Sequence, residues 1–157
     1  MSTVQARLAA LGISLPKPNP AVANYLPVVE QDGWIYVSGQ LPLEAGVLTC
    51  TGKVGAEVGV DDAYQAARLC AINGLALIQG ALGGGADALD NVRIVRVGGF
   101  VASAEGFTGQ PKVINGASDL LVEVLGDNGR HARAAVGVAE LPMGAAVEVE
   151  IVAKKLG

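Results

Sequence analysis

A single histidine, His131, and two cysteines, Cys50 and Cys70, are all the imidazole and thiol chemistry in these 157 residues. One histidine cannot supply the acid–base pair with which metal-free ribonucleases commonly cut RNA. Nor do one histidine, two distant cysteines and carboxylates without ligand spacing make a metal site, so none is expected. The cysteines match no redox or ligand spacing, and "MSTVQARLAALG" has no basic region followed by an apolar block. Both thiols are therefore expected to be reduced, in a cytoplasmic protein without a signal peptide. Positive charge is scarce as well. Eleven Lys and Arg against fifteen Asp and Glu leave a net charge of −4 with no basic stripe, which argues against nucleic acid as a partner. The longest apolar run, near Ala71–Leu82, is broken by Asn73, Gly74, Gln79 and Gly80 and is too short to cross a bilayer, so no membrane partner is expected. With one Trp, three Tyr and two Phe, aromatics cannot fill the interior, and the 51% hydrophobic content is mostly Ala, Val and Leu.

The chain is long enough for one core, burying on the order of 70% of the surface its unfolded state exposes. We read one domain over residues 1–157, with a helix and an arm in residues 1–17. Val4, Leu8 and Leu11 give residues 2–12 an apolar side, and Gly12 ends that helix. The prolines of "LPKPNP" make residues 15–20 an extended arm. Strands are expected near 26–30 and 33–39 around a Gln31-Asp32-Gly33 turn, then a loop over 41–58 with a short strand near Val47–Thr49. Asp61 reads as the N-cap of a helix to about Leu82, with Ala66, Leu69, Cys70, Asn73 and Leu77 along one stripe. "GGGADALDN" is a connector, since its glycines follow a helix and lack the Lys-Ser/Thr ending of a phosphate loop. Residues 92–102 form a strand in which Gly98-Gly99 signals a bulge or a close backbone approach. Pro111 opens a helix that Gly126 closes, with Val113, Ala117, Leu120, Leu121 and Val124 as its buried stripe.

The chemistry gathers in the last two strands. Along "ARAAVGVAELP", Arg133, Ala135, Gly137 and Ala139 share one face and Ala134, Val136 and Val138 the other. The Val face is expected to be core. Arg133 then stands over small residues with room before its guanidinium, a pocket suited to a carboxylate. In "AAVEVEIVAKK", Val147, Val149 and Ile151 alternate with Glu148 and Glu150. Paired with the preceding strand as a hairpin, it sets both glutamates on the Arg133 side; solvent-facing glutamates are the plainer alternative. His131 alternates onto the Arg133 face, which leaves open an approach to the pocket rim, with a surface histidine at a strand end as the plainer reading. The Ala135, Gly137 and Ala139 face, small yet apolar, invites the backbone of a second subunit.

The segment "ARAAVGVAELPMGAAVEVEIVA" resembles the C-terminal signature of the Rid family, also called YjgF or reactive-intermediate deaminases and often labelled endoribonuclease L-PSP. "NYLPVVEQDGWIYVSGQLPL" is similar to its N-terminal hairpin ending in Ser-Gly-Gln, and "KVINGASDLLVEVLG" to its second helix. The match runs in order over about residues 18–156 and is nearest the longer branch, with an extra N-terminal helix and an insertion after Ser-Gly-Gln.

The resemblance implies an α+β fold, a chorismate-mutase-like (YjgF-like) sheet with two helices on one face, assembled as a homotrimer with a pocket at each interface. It implies hydrolysis of reactive 2-imino acids or enamines to 2-keto acids and ammonia, without a cofactor. Arg133 corresponds to the family's carboxylate-binding arginine, Glu148 to its strand glutamate, Asn115 to its helix asparagine, Gly39 to the glycine of Ser-Gly-Gln and Tyr25 to the aromatic of the arm. Arg133 and Glu148 are the catalytic candidates, and Arg133, Tyr25, Gly39 and Asn115 the substrate-binding ones. Ala135 replaces a cysteine found in many members, and residues 41–58 and 104–110 differ from the shorter ones. Two other classes stay open: a non-catalytic module that holds a small carboxylate for regulation or as a chaperone-like scaffold, and, more weakly, the endoribonuclease or translation inhibitor of the family label. A chorismate-mutase-like enzyme would want several cations for a dicarboxylate, and only Arg133 is well placed.

Overall fold

The computed structural model describes residues 3–18 and 23–157. The helix α1 (Thr3–Ala10) leads through an arm to β1 (Val28–Gln31) and β2 (Trp34–Gln40), and a small hairpin of β3 (Leu43–Glu44) and β4 (Val47–Leu48) follows. Then come α2 (Val60–Ala81), β5 (Val92–Ala102), α3 (Gln110–Leu125), β6 (Ala132–Val138) and β7 (Val147–Lys155). Part of the expected arm, at residues 19 and 20, lies outside the described residues.

Five strands form one mixed sheet in the order β1-β2-β7-β5-β6. The last two strands are therefore not a hairpin. β7 enters the middle of the sheet, antiparallel to both β2 and β5, while β6 lies at the edge, parallel to β5. A parallel neighbour needs a crossover connection, and α3 supplies it.

Both long helices pack on one face of the sheet, α2 over β7 and β2, and α3 over β5 and β6. On α3 the expected stripe holds: Val113, Ala117, Leu120, Leu121 and Val124 are fully buried. Burying each of the larger of these is worth roughly 1.5–3 kcal/mol, which outweighs the intrinsic cost of valines in a helix. The α2 stripe is turned slightly from the expected one. Ala63, Ala67, Cys70, Ala71 and Ile78 are fully buried, whereas Leu69 and Asn73 sit at its edge. Asn73 uses its amide to tether the loop, donating to the carbonyls of Leu41 and Leu43 at 3.2 and 2.9 Å. Helix α2 begins at Val60 after Gly59, so Asp61 is not the N-cap; with Asp62 it lies in the first turn, where a carboxylate suits the positive end of the helix. Val4 and Leu8 join the common core, while Leu11 is 39% exposed. The α1 start is held by the Val4 amide on Asp90 Oδ1 at 2.9 Å.

The helices approach closely at Gly116. A methyl there would fall on the main-chain carbonyl of Tyr64, which α2 cannot withdraw without moving as a whole. Gly116→Ala is expected to cost about 1–3 kcal/mol as an overpacking change, read as a lower urea midpoint at unchanged slope. A variant as stable as the wild type contradicts this packing.

Gly98 and Gly99 mark neither a bulge nor the approach of another backbone, but a close approach of side chains. The β5 irregularity lies between Ile94 and Arg96, whereas Glu150 lies over Gly98 on one face and Ile114 over Gly99 on the other.

Candidate functional site

The face assignment of β6 is the reverse of the sequence expectation. Ala135 packs against the core, and Gly137 faces Gln110 and Ser103 of the same chain, while Val136 is 45% exposed. Large side chains of α3, such as Ile114 and Leu121, already fill the space beneath the sheet, so the small residues of β6 turn inward. Gly137, although exposed, turns a Cα hydrogen toward its own chain. A bulky residue there would meet the Gln110 amide that donates to Ser103 Oγ at 3.1 Å.

Arg133 shares this inward side and lies along α3. Its Nη1 donates to Asn115 Oδ1 at 2.9 Å and to Ser118 Oγ at 3.2 Å, and its Nη2 donates to the Pro111 carbonyl at 3.5 Å. A guanidinium has five N–H groups. The Nε–H and one Nη2–H meet no acceptor among the described residues, and the side chain is exposed. An anchored arginine with part of its fork free suits a planar carboxylate. Ser118 was not singled out from the sequence, although its spacing holds a signal: Pro111, Asn115 and Ser118 at i, i+4 and i+7 lie along one line of α3. Nor is His131 a free surface histidine. It is half-buried between Ser118 Oγ, 2.9 Å from its Nε2, and the Gly129 carbonyl, 2.6 Å from its Nδ1. Burial pushes the imidazole below its usual pKa and the Arg133 charge adds to this, against the bond to Gly129.

Glu148 lies on the opposite, helix-free face. Its carboxylate covers Gly39, where a methyl would collide with it, and the Ser-Gly-Gln segment coincides with a register shift between β2 and β7. Desolvation raises the Glu148 pKa and the negative charge of Glu150 raises it further, while Glu150 itself pairs with Arg96 at 2.9 Å. Within one chain Arg133 and Glu148 do not meet. Phe100 aligns with Glu148 and Val136, while Arg133 aligns with Val97, three residues back along β5. With β5 between them, the two strands lie roughly 10 Å apart. The candidates therefore form two groups, Arg133 with Asn115 and Gly39 with Glu148. Tyr25, 53% exposed, belongs to neither by contact, though its arm ends beside the second group, where Ser38 Oγ donates to the Leu26 carbonyl at 2.8 Å.

Three cavities of about 410, 500 and 360 Å³ lie elsewhere, under the arm, beside Cys50 and beside α1, and none is lined by Arg133, Asn115, Gly39 or Glu148. Among the described residues no three His, Cys, Asp or Glu side chains gather to hold a metal, and no helix is long and apolar enough to cross a membrane.

Residues 5–155 match the family described as YjgF/chorismate_mutase-like, putative endoribonuclease. The chain belongs to the Rid/YjgF family. Protein TCP17 of Trypanosoma cruzi is 46% identical over 149 residues, 94% of this chain and 91% of that protein. Among solved structures, Atu1372 of Agrobacterium tumefaciens is 46% identical with a TM-score of 0.89, over 98% of this chain and 92% of its own. A Shewanella oneidensis protein described as "a putative endoribonuclease" is 32% identical with a TM-score of 0.90, over 98% and 99% of the two chains. Rid/YjgF membership accounts for the α+β sheet with both long helices on one face.

Proposed function

We propose that this Rid/YjgF protein hydrolyses reactive 2-imino acids, including those arising from enamines, to 2-keto acids and ammonia in pockets formed between three copies of the chain. The observation that carries the reading is the anchored Arg133 with free N–H donors. Asn115, Ser118 and Pro111 fix the guanidinium, so a substrate carboxylate docks on a preorganised fork and the imine carbon is positioned. Glu148 takes a proton from water as the oxygen attacks that carbon and returns it to the imine nitrogen, which gives the carbinolamine. Transfer of the hydroxyl proton to that nitrogen, again by way of Glu148, then breaks the C–N bond, expels ammonia, leaves the 2-keto acid and restores the Glu148 carboxylate. Its raised pKa suits a general base, since a stronger base accepts the proton more readily. Tyr25 and Gly39 complete the pocket beside the substrate, and no cofactor takes part.

The open sheet face supports assembly. Val29, Tyr36, Val136 and Trp34 are 43%, 52%, 45% and 39% exposed on a side that no helix covers, and a second copy would bury them. Assembly would bring Glu148 of one copy toward Arg133 of another, which one chain alone does not do. That same separation favours the second reading for an unassembled chain, in which Arg133 holds a small carboxylate without turnover. The unpaired thiols of Cys50 and Cys70 fit a reducing, cytoplasmic setting.

The test is a coupled assay in which an amino-acid oxidase generates 2-imino acids and their decay is followed with and without the protein. Faster decay is expected; unchanged decay across small and branched imino acids, with 2-keto acid still bound, selects the binding module. The rate is expected to rise with pH through a Glu148 pKa above the ordinary 4.5, because only the carboxylate accepts the proton. Glu150→Gln removes the second cause of that shift and moves the limb to lower pH. A limb that stays in place in Glu148→Gln assigns the base elsewhere. Purified protein is expected to leave RNA intact after a chelator and a further ion-exchange step; cleavage that survives both and vanishes in Arg133→Ala would restore the endoribonuclease reading.

A further inference from the structure

We propose that His131, acting through Ser118, is a positioning residue that holds the Arg133 guanidinium in its binding orientation. The inference rests on reading Arg133 as the carboxylate anchor and adds His131, which that reading does not use. The Gly129 carbonyl only accepts, so at 2.6 Å the His131 Nδ1 carries the proton and donates to it. In the neutral ring Nε2 is then an acceptor, and at 2.9 Å it takes the Ser118 hydroxyl proton. With that proton committed, the Ser118 oxygen turns its lone pairs to Arg133 Nη1, 3.2 Å away. The order of donation is thus Arg133 to Ser118 to His131 to Gly129, with every polarity set by the carbonyl at its end.

Three elements meet in this relay: α3 provides Ser118, the turn after it provides Gly129, and β6 provides Arg133. Asn115 fixes the other Nη1 hydrogen, and Ser118, together with the longer Pro111 contact to Nη2, sets the rotation of the guanidinium plane about that first contact. Without the imidazole acceptor, the Ser118 proton is free to turn toward Arg133, where it opposes the Nη1–H donor. The free N–H donors of Arg133 then lose their fixed direction, although no group that touches the substrate has been removed.

The experiment uses Ser118→Ala, His131→Leu, His131→Gln and the Ser118→Ala/His131→Leu double variant of the full chain, each checked by its melting temperature. Pyruvate affinity is measured by calorimetry, and the Arg133 Nε–H and His131 ring-nitrogen signals by NMR without ligand. His131 is expected to show the Nδ1–H tautomer. Ser118→Ala and His131→Leu are each expected to move the Arg133 signal and to weaken pyruvate roughly three- to tenfold, the range of one net hydrogen bond. The double variant is expected to be no worse than either single one, because both break the same relay. His131→Gln, whose amide oxygen can accept from Ser118, is expected to recover part of the loss. An Nε2–H tautomer, an unmoved Arg133 signal in both single variants, or strictly additive losses would overturn the proposal. If wild type binds no pyruvate while the Arg133 signal still follows His131, the carboxylate-site reading falls and the positioning relay stands. Should His131→Leu fail to fold, Ser118→Ala decides through the same signals.

Discussion

Arg133→Ala is expected to reduce 2-imino-acid hydrolysis to the uncatalysed rate and to weaken 2-keto-acid binding by ten- to several hundredfold, with the fold intact. Hydrogen bonds from a charged donor are worth roughly 1.5–3 kcal/mol, and about 1.4 kcal/mol is a factor of ten. Loss of orientation adds to the kinetic effect, because a substrate without its carboxylate anchor no longer presents the imine carbon in a fixed place. Arg133 is exposed and holds Asn115, Ser118 and Pro111 through surface contacts only, so the melting temperature should move little. Arg133→Lys should recover little, since an ammonium does not reproduce the planar fork. Coupled-assay rates and calorimetric titration with pyruvate check these outcomes. Turnover by Arg133→Ala within a factor of two of wild type would remove Arg133 from the site.

Placing a charge on the open sheet face is the second change with a large expected effect. Val136→Asp sets a carboxylate on the helix-free side of the edge strand β6, in the same row across the sheet as Phe100 and Glu148. If a second copy buries that surface, an unpaired charge within it costs several kcal/mol, enough to dissociate a trimer at micromolar concentration. Hydrolysis should be lost with assembly, although Val136 touches neither Arg133 nor a reacting atom, because one chain keeps Arg133 and Glu148 on opposite faces. Sedimentation equilibrium of wild type and Val136→Asp, paired with the coupled assay, reads both consequences. A monomeric wild type that hydrolyses imino acids would overturn the shared pocket. So would a Val136→Asp variant that is monomeric yet fully active.

Gly39→Ala separates the chemistry from the assembly. Its added methyl would meet the Glu148 carboxylate, which must swing aside, so turnover is expected to fall at least tenfold while pyruvate still binds at Arg133. Equal losses of binding and turnover would show that the two groups do not divide the work in this way.

Most of the elements were legible in the sequence because their signals are local. The apolar stripe of α3, proline near its start and glycine at its end describe a helix without reference to anything else, and its five stripe residues are all fully buried. Gly39 meets Glu148 and Arg133 meets Asn115 in the folded chain. The Asp61 cap failed because Gly59 at the N-cap lets the helix begin two residues earlier, leaving the carboxylate to interact with the exposed amide ends from the first turn. His131 looked like a strand-end histidine because its partners, Ser118 and Gly129, come from α3 and the turn after it.

The sequence by itself determined which residues alternate with which: Arg133 with Ala135 and Gly137, and Glu148 with Glu150, since a strand has a period of two wherever it lies. It did not determine which alternating set faces inward, because a period of two is symmetric and only the packing partner breaks that symmetry. The partner of β6 is α3, whose branched side chains leave room only for alanine and glycine, and so the valine side faces out. Strand order had the same character. A short turn between β6 and β7 suggests a hairpin, but β7 gains two antiparallel neighbours and full burial of Val147 and Val149 by entering between β2 and β5. That choice puts a strand between Arg133 and Glu148 and sets them on opposite faces, a separation decided by the tertiary structure alone.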